Sequence, residues 1–114
     1  MLEQLGINAK KASADLVGAS TELKNKALGA IADALIQNAQ TIIDANKKDY
    51  DAQVGILDGG MLDRLMLNLD RIKGMADGCR QVMALDDPCG RVLETVERPN
   101  GLLIKKVSCP MGVI

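Results

Sequence analysis

The sequence predicts a segment that is mostly α-helical and ends in a β-hairpin and the start of a sheet strand. From residue 2 to about 86, apolar residues recur every three or four positions, the spacing of one helix face. From Gly90 onward the pattern becomes extended and β-branched. Phe and Trp are absent and Tyr50 is the single aromatic residue, so Leu, Ile, Val, Met and Ala must fill the core, as is typical of packed helices.

Two helices are predicted in the first half of the chain. The first spans residues 2–16 and is ended by Gly18 and Ala19. Ser20 can accept the free N–H groups at the start of a second, long helix, and Lys47–Lys48 fall where cations suit a helix C-terminus. One apolar face would run for about six turns along this second helix, through Leu23, Ala27, Leu28, Ile31, Leu35, Ala39 and Ile42.

Shorter helical segments are predicted to follow. A turn or two around Tyr50 should end at Gly55, which can take the left-handed conformation of a C-terminal cap. Asp58 should cap a brief helix, and Asn68 should cap the most clearly periodic helix of the chain. That last helix should end before Pro88 and carry Cys79 on its apolar stripe, as a small core residue.

Residues 90–109 predict a β-hairpin around Pro99-Asn100-Gly101, with two possible registers. A two-residue Asn-Gly turn would pair apolar with charged side chains, setting Val96 opposite Lys105 and Glu94 opposite Val107. A three-residue turn with Gly101 left-handed gives pairs of like polarity or opposite charge: Val96 with Ile104, Glu94 with Lys106 and Leu93 with Val107. We predict the second register, because matched cross-strand pairs stabilise a hairpin and Pro99 already has the φ that this turn needs.

A two-stranded hairpin is marginal in water, so it needs a partner sheet. Residues 111–114 place apolar side chains at extended spacing and have no partner nearby in sequence. We therefore expect them to open a buried strand, in a chain that is truncated before the rest of its sheet.

The composition of the chain excludes several classes of function. A net charge of −1 gives no electrostatic footprint for nucleic acid or an anionic membrane, and no apolar stretch approaches the length of a membrane span. Without His, a Ser-His-Asp triad, a Cys-His dyad or a His-ligated metal site cannot form. Glu3 lies where a signal peptide would be positive, and three cysteines without C-x-x-C spacing fit reduced thiols, so a cytoplasmic location is expected.

Residues 61–92, "MLDRLMLNLDRIKGMADGCRQVMALDDPCGRV", resemble the N-terminal region of the γ-glutamyl phosphate reductase (glutamate-5-semialdehyde dehydrogenase) family, within the aldehyde dehydrogenase superfamily. The resemblance covers the whole chain in order, and "MLEQLGINAKKAS", "IADALIQNAQTIIDANKKDYDAQ", "GILDGGMLDRL" and "CPMGVI" support it. It implies an α/β parent fold. In that fold residues 1–87 are the helical part of the nucleotide-binding domain, 90–109 the hairpin of the oligomerisation element, and 111–114 the first strand of the nucleotide-binding sheet.

The resemblance also implies an activity for the complete chain, which is expected to act as a homo-oligomer through the hairpin. The enzyme would use NADPH to reduce L-glutamate 5-phosphate to L-glutamate 5-semialdehyde and phosphate, in proline biosynthesis. A cysteine thiolate would attack the acyl phosphate, and hydride would reduce the resulting thioester. That nucleophile lies downstream of residue 114 in the family, so Cys79, Cys89 and Cys109 receive no catalytic role.

No catalytic, cofactor-binding or metal-binding residue is assigned within residues 1–114, and the segment alone is expected to be inactive. Its glycines form no G-x-G-x-x-G after a strand, and helix punctuation explains them better: Gly55, Gly59, Gly60, Gly74 and Gly78. Two other hypotheses stay open. One is a free-standing helical interaction module whose hairpin adds a strand to a partner. The other is a small thiol enzyme using Cys109 beside Pro110.

Overall fold

The computed structural model describes residues 2–114, and within them five helices precede one antiparallel hairpin, as predicted. The helices are α1 (Leu2–Leu16), α2 (Thr21–Gln37), α3 (Ala39–Gln53), α4 (Gly59–Leu65) and α5 (Leu69–Met83), and the strands are β1 (Val92–Glu97) and β2 (Leu103–Val107). The chain divides into two compact units. The helical unit is Lys24–Leu85; the hairpin unit comprises the residues up to Leu23 together with Asp86–Ile114.

Three predicted N-caps are confirmed by side-chain hydrogen bonds. The Ser20 hydroxyl accepts from the Leu23 N–H at 3.1 Å, at the start of α2. Asp58 accepts from the Met61 N–H at 2.9 Å, and Asn68 accepts from the Arg71 N–H at 2.8 Å. These short polar side chains stop the helices at their N-terminal ends because they satisfy N–H groups that have no partner within the helix.

The predicted long second helix is wrong in two details. It is interrupted at Asn38, where φ is −103° and ψ is 15°, so that α2 and α3 are separate helices. The Asn38 side-chain amide donates to the Ala34 carbonyl at 2.8 Å, and this local bond competes with regular helix geometry. Lys47 and Lys48 do not lie in a last turn either, because α3 continues to Gln53. The separate helical turn predicted around Tyr50 is instead part of α3, while the predicted helix end at Gly55, where φ is 83°, is confirmed.

The helical unit has a small core of its own. Ala32 of α2, Ala39 of α3, and Ile72 and Ala76 of α5 are buried. Small residues allow the helices to approach closely, and a Cβ added to Gly29 of α2 would lie 3.6 Å from the Met83 Cε. Cys79 is only half-buried, so it lies at the margin of this core.

Side-chain hydrogen bonds fix the connection between α4 and α5. Asn46 of α3 donates to the Leu65 carbonyl at 2.9 Å and accepts from the Leu67 N–H at 2.7 Å. Arg71 of α5 donates to the Met66 carbonyl at 2.7 Å and pairs with the Asp63 carboxylate at 2.8 Å. The loop between α4 and α5 is thus held from both sides.

The hairpin adopts the predicted three-residue turn. Arg98 donates its N–H to the Leu102 carbonyl at 2.9 Å, and Gly101 has φ of 80°. Val96 pairs with Ile104 and Glu94 with Lys106, as predicted. The expected pairing of Leu93 with Val107 is wrong: a bulge at Leu93 places Val92 opposite Val107 instead. The bulge inserts one extra residue into β1, so the regular alternation of paired residues is interrupted there.

Residues 108–114 have no helix or strand assignment, and Gly112 has φ of 91°. The sheet formed by the described residues has two strands, so the expected strand at 111–114 is not formed in it. Its place in a larger sheet stays a prediction. None of the helices in residues 2–114 combines the length and apolar character that crossing a bilayer requires.

Candidate functional site

Several hydrogen bonds hold the base of the hairpin in the hairpin unit. The Gly90 N–H donates to the Ser108 carbonyl at 2.9 Å, and the Ser108 N–H donates to the Arg91 carbonyl at 3.0 Å. Gly90 has φ of 78°, a left-handed backbone conformation that glycine adopts without steric cost. The Ser108 hydroxyl accepts from the Arg91 N–H at 3.0 Å and donates to the Pro88 carbonyl. Ser108 therefore joins the two arms of the hairpin at its base.

Asp87 organises the segment that leads into this base. Its Oδ1 accepts from the Cys89 N–H at 3.0 Å, and its Oδ2 accepts from the Thr21 hydroxyl at 2.8 Å. The Asp87 carbonyl accepts from the Arg91 Nε at 2.9 Å. These bonds explain how the chain after α5 is directed into β1, although nothing in its sequence periodicity indicates it.

Apolar side chains remain accessible throughout the hairpin unit. No residue of β1, β2 or the described part of α1 is buried. Leu93 is 62% exposed and Leu103 is 52% exposed, and β1 and β2 each have one edge without a paired strand in the described sheet. Exposed apolar strands with free edges are the usual mark of an interaction surface.

Within the part of the chain that the structure describes, each unit has an open hollow. The hollow in the helical unit has a volume of about 240 Å³, and that in the hairpin unit about 200 Å³. The first is lined by Ile43, Asn46, Lys47, Tyr50, Met66 and Leu67. The second is lined by Ser13, Leu16, Val17, Pro110, Met111 and Gly112. Lys47 is paired with Asp51 at 2.9 Å on the exposed face of α3.

The cysteines show no catalytic constellation among the described residues. Cys79 and Cys89 are half-buried and Cys109 is exposed, and all three are free thiols. The chain contains no His, so a thiol here has no imidazole base. The thiol-enzyme hypothesis gains no support from this arrangement.

The glycines considered for a phosphate loop lie at helix positions. Gly59 and Gly60 begin α4, while Gly74 and Gly78 lie inside α5. Gly55 follows α3 at a helix end. Among residues 2–114 none of these follows a strand, which a dinucleotide fingerprint requires. That the segment has no cofactor-binding residue stays a prediction.

Comparison with known proteins shows which proteins this chain resembles. No protein-family model matches the chain. The γ-glutamyl phosphate reductase of Lachnospira eligens is 48% identical over 114 residues, covering 99% of this chain and 28% of the relative. That of Desulforamulus reducens is 49% identical over 115 residues, with 99% and 28% covered. The chain thus spans little more than a quarter of the length of these curated relatives.

Solved structures agree with the sequence comparison. The crystal structure of the Thermotoga maritima γ-glutamyl phosphate reductase matches with a TM-score of 0.84 and 35% identity, over 90% of this chain and 25% of that one. The Saccharomyces cerevisiae protein matches with a TM-score of 0.84 and 36% identity, over 94% and 28%.

Five helices followed by an antiparallel hairpin match the N-terminal segment of the γ-glutamyl phosphate reductase fold. By sequence and by fold, the chain is related to the γ-glutamyl phosphate reductases. These relationships do not favour the free-standing interaction module.

Proposed function

We propose that this chain forms the N-terminal part of an NADPH-dependent γ-glutamyl phosphate reductase. The complete enzyme would convert L-glutamate 5-phosphate to L-glutamate 5-semialdehyde and phosphate in proline biosynthesis. One observation carries the proposal: relatives of this name match the chain over 99% of its length at 48% identity. Free thiols and the biosynthetic role both suit a cytoplasmic location, which belongs to the same proposal.

In this proposal the reacting groups come from other parts of the complete enzyme. A cysteine thiolate would displace phosphate from the acyl phosphate, and the thioester would then be reduced to the aldehyde, which frees the thiolate. NADPH would supply the hydride for that reduction. The described residues contribute a framework: a helical unit with its own core, and a hairpin whose base is fixed by Ser108 and Asp87.

We also propose that the hairpin joins copies of the complete enzyme. Its strands expose apolar side chains on both sides, and each strand has an edge able to accept another strand. For the chain alone, this predicts association that rises with concentration in sedimentation experiments. Ile104→Lys should weaken the association, whereas Ile56→Lys in the helical unit should not. Equal effects of the two variants, or a monomer at every concentration, would contradict hairpin-mediated assembly.

A chimera tests the enzymatic proposal. The segment of the Lachnospira eligens reductase that matches this chain would be replaced by residues 1–114, and the purified chimera assayed for NADP reduction with L-glutamate 5-semialdehyde and phosphate. We expect activity within about tenfold of the unmodified relative, because a segment of the same fold should leave the reacting groups in place. A misplacement of about 1 Å would be enough to lower the activity about 100-fold.

Two controls frame this result. The Lachnospira eligens reductase without its matching segment should be inactive, and residues 1–114 alone should show no NADPH-dependent turnover. A soluble, folded chimera without activity would contradict the assignment to this family. Turnover by residues 1–114 alone would contradict the absence of catalytic residues from the segment.

A further inference from the structure

The base of the hairpin brings two cysteines together. Cys89 directly precedes Gly90, and Cys109 directly follows Ser108. The Gly90 N–H donates to the Ser108 carbonyl at 2.9 Å, so the two cysteines are covalent neighbours of the two ends of one hydrogen bond. They are 20 positions apart in sequence, but the fold makes them neighbours across the hairpin base.

Covalent geometry limits how far apart they can be. In a trans peptide the Cys89 Cα lies on the same side as the Gly90 N–H, and the Cys109 Cα lies on the same side as the Ser108 carbonyl oxygen. Adding standard peptide dimensions to the hydrogen bond places the two Cα atoms no more than about 7 Å apart. A disulfide needs a Cα separation of about 4.4–6.8 Å. The upper limit on the Cα separation is therefore close to the range that a bridge requires.

The surroundings hold both cysteines in place and leave them reachable. Cys109 is exposed and Cys89 is half-buried. Asp87 fixes the Cys89 N–H at 3.0 Å, and Ser108 ties the neighbouring backbone to Arg91. Fixed positions lower the entropy lost on forming a bridge, and exposure admits a small thiol reagent.

We propose that Cys89 and Cys109 are a paired thiol modification site, which a low-molecular-weight disulfide such as oxidised glutathione converts to an intramolecular disulfide. One thiolate attacks oxidised glutathione, forming a mixed disulfide and releasing one glutathione. The second thiolate attacks the protein sulfur of that mixed disulfide and releases the second glutathione. Two protein thiols are oxidised, one glutathione disulfide is reduced, and reduced glutathione reverses the reaction.

The bridge would close residues 89–109 into a covalent ring around the hairpin. The hairpin base is otherwise held by hydrogen bonds and an exposed Arg91–Asp86 ion pair, which open transiently in water. Oxidation would therefore lock the hairpin base closed, and reduction would restore its freedom to open. This site is separate from the proposed reductase chemistry, and its test does not depend on enzymatic activity.

The experiment uses residues 1–114 as a folded chain, oxidised with glutathione disulfide, alkylated and digested with trypsin without reduction. Cleavage at Lys and Arg places each cysteine in a different peptide: Cys79 in 74–80, Cys89 in 81–91 and Cys109 in 107–114. We expect the Cys89–Cys109 link to exceed either link to Cys79 by at least about tenfold, because the fold holds that pair within disulfide reach.

The same oxidation in guanidinium chloride provides the reference. Cys79 and Cys89 are 10 positions apart, so an unfolded chain should form that shorter loop more readily than the Cys89–Cys109 loop. Mixing ¹⁴N- and ¹⁵N-labelled chains identifies links between molecules. Cys79→Ser should leave the product unchanged, whereas Cys109→Ser should abolish it.

The proposal is overturned by any of three results with the folded chain. They are glutathione adducts without the Cys89–Cys109 link, a link pattern equal to that of the unfolded chain, or links found mainly between molecules. Circular dichroism of the Cys79→Ser and Cys109→Ser variants shows whether each retains its helices, so loss of the link can be separated from loss of folding.

Discussion

The helical unit and the hairpin unit achieve order in different ways. Lys24–Leu85 buries Ala32, Ala39, Ile72 and Ala76, and its caps and loop contacts are satisfied within the unit. In the hairpin unit no described residue of α1, β1 or β2 is buried, and hydrogen bonds centred on Ser108 and Asp87 hold its base.

This difference shows how each unit is stabilised. Burial of apolar surface is the main stabilising term in folding, whereas exposed hydrogen bonds contribute little net free energy. The helical unit therefore has a source of stability of its own. The hairpin unit has defined geometry but needs apolar surface from elsewhere, which suits its proposed role in joining copies of a complete reductase.

The largest expected effect is loss of the core side chain Ile72, which is 0% exposed. Ile72→Ala should lower the free energy of unfolding by about 2–5 kcal/mol, because it removes buried methyl groups and leaves a cavity. Urea unfolding followed by circular dichroism measures this. Val82→Ala, on the same helix and 51% exposed, is the matched control and should cost much less. Equal losses would mean that the helical unit has no distinct core.

The next effect concerns Asn46, which bonds both sides of the loop between α4 and α5. Asn46→Ala should cost about 1–3 kcal/mol, because it leaves two half-buried backbone groups without partners. The same urea titration applies, with the exposed Lys48→Ala on α3 as control. A change no larger than that of the control would show that water replaces the amide without loss.

In the hairpin unit, Gly101→Val tests the turn. A β-branched residue at φ of 80° should cost about 1–2 kcal/mol locally. NMR should show weakened cross-strand contacts between Val96 and Ile104, which pair in the native hairpin. Gly101→Asn should retain most of these contacts, since Asn tolerates the left-handed conformation. Intact contacts in the valine variant would contradict the three-residue turn.

The smallest effect is expected at the N-cap of α5. Asn68→Ala should cost about 1 kcal/mol by removing the acceptor for the Arg71 N–H. Asn68→Asp keeps an acceptor oxygen and adds a charge that favours the helix N-terminus, so it should be close to neutral. Thermal unfolding of the three chains ranks them, and an aspartate variant as unstable as the alanine variant would contradict the capping role.

Features determined by neighbouring residues could be predicted from the sequence. The caps at Ser20, Asp58 and Asn68 and the left-handed Gly101 each depend on fewer than five consecutive residues. The break at Asn38 was missed because the apolar spacing continues across it, and only a side-chain bond to Ala34 marks it.

Features formed between distant residues had no local signal. The bulge at Leu93 and the bonds from Asn46 to the α4–α5 loop depend on tertiary placement. The same is true of the Ser108 bonds at the hairpin base, although a serine between Val107 and Cys109 is visible in the sequence. The pairing of Cys89 with Cys109 follows from those bonds and could not be read from spacing.

Amide hydrogen exchange tests the central claim most directly, by comparing residues 1–114 alone with the same residues inside the Lachnospira eligens chimera. In the isolated chain, at concentrations where sedimentation shows a monomer, we expect the amides of α5 around Ile72 to exchange slowly and those of β1 and β2 to exchange quickly. In the chimera, the β1 and β2 amides should slow by at least about tenfold, because missing apolar surface is then supplied. Hairpin amides as protected in the isolated chain as those of α5, or unchanged in an active chimera, would contradict the account.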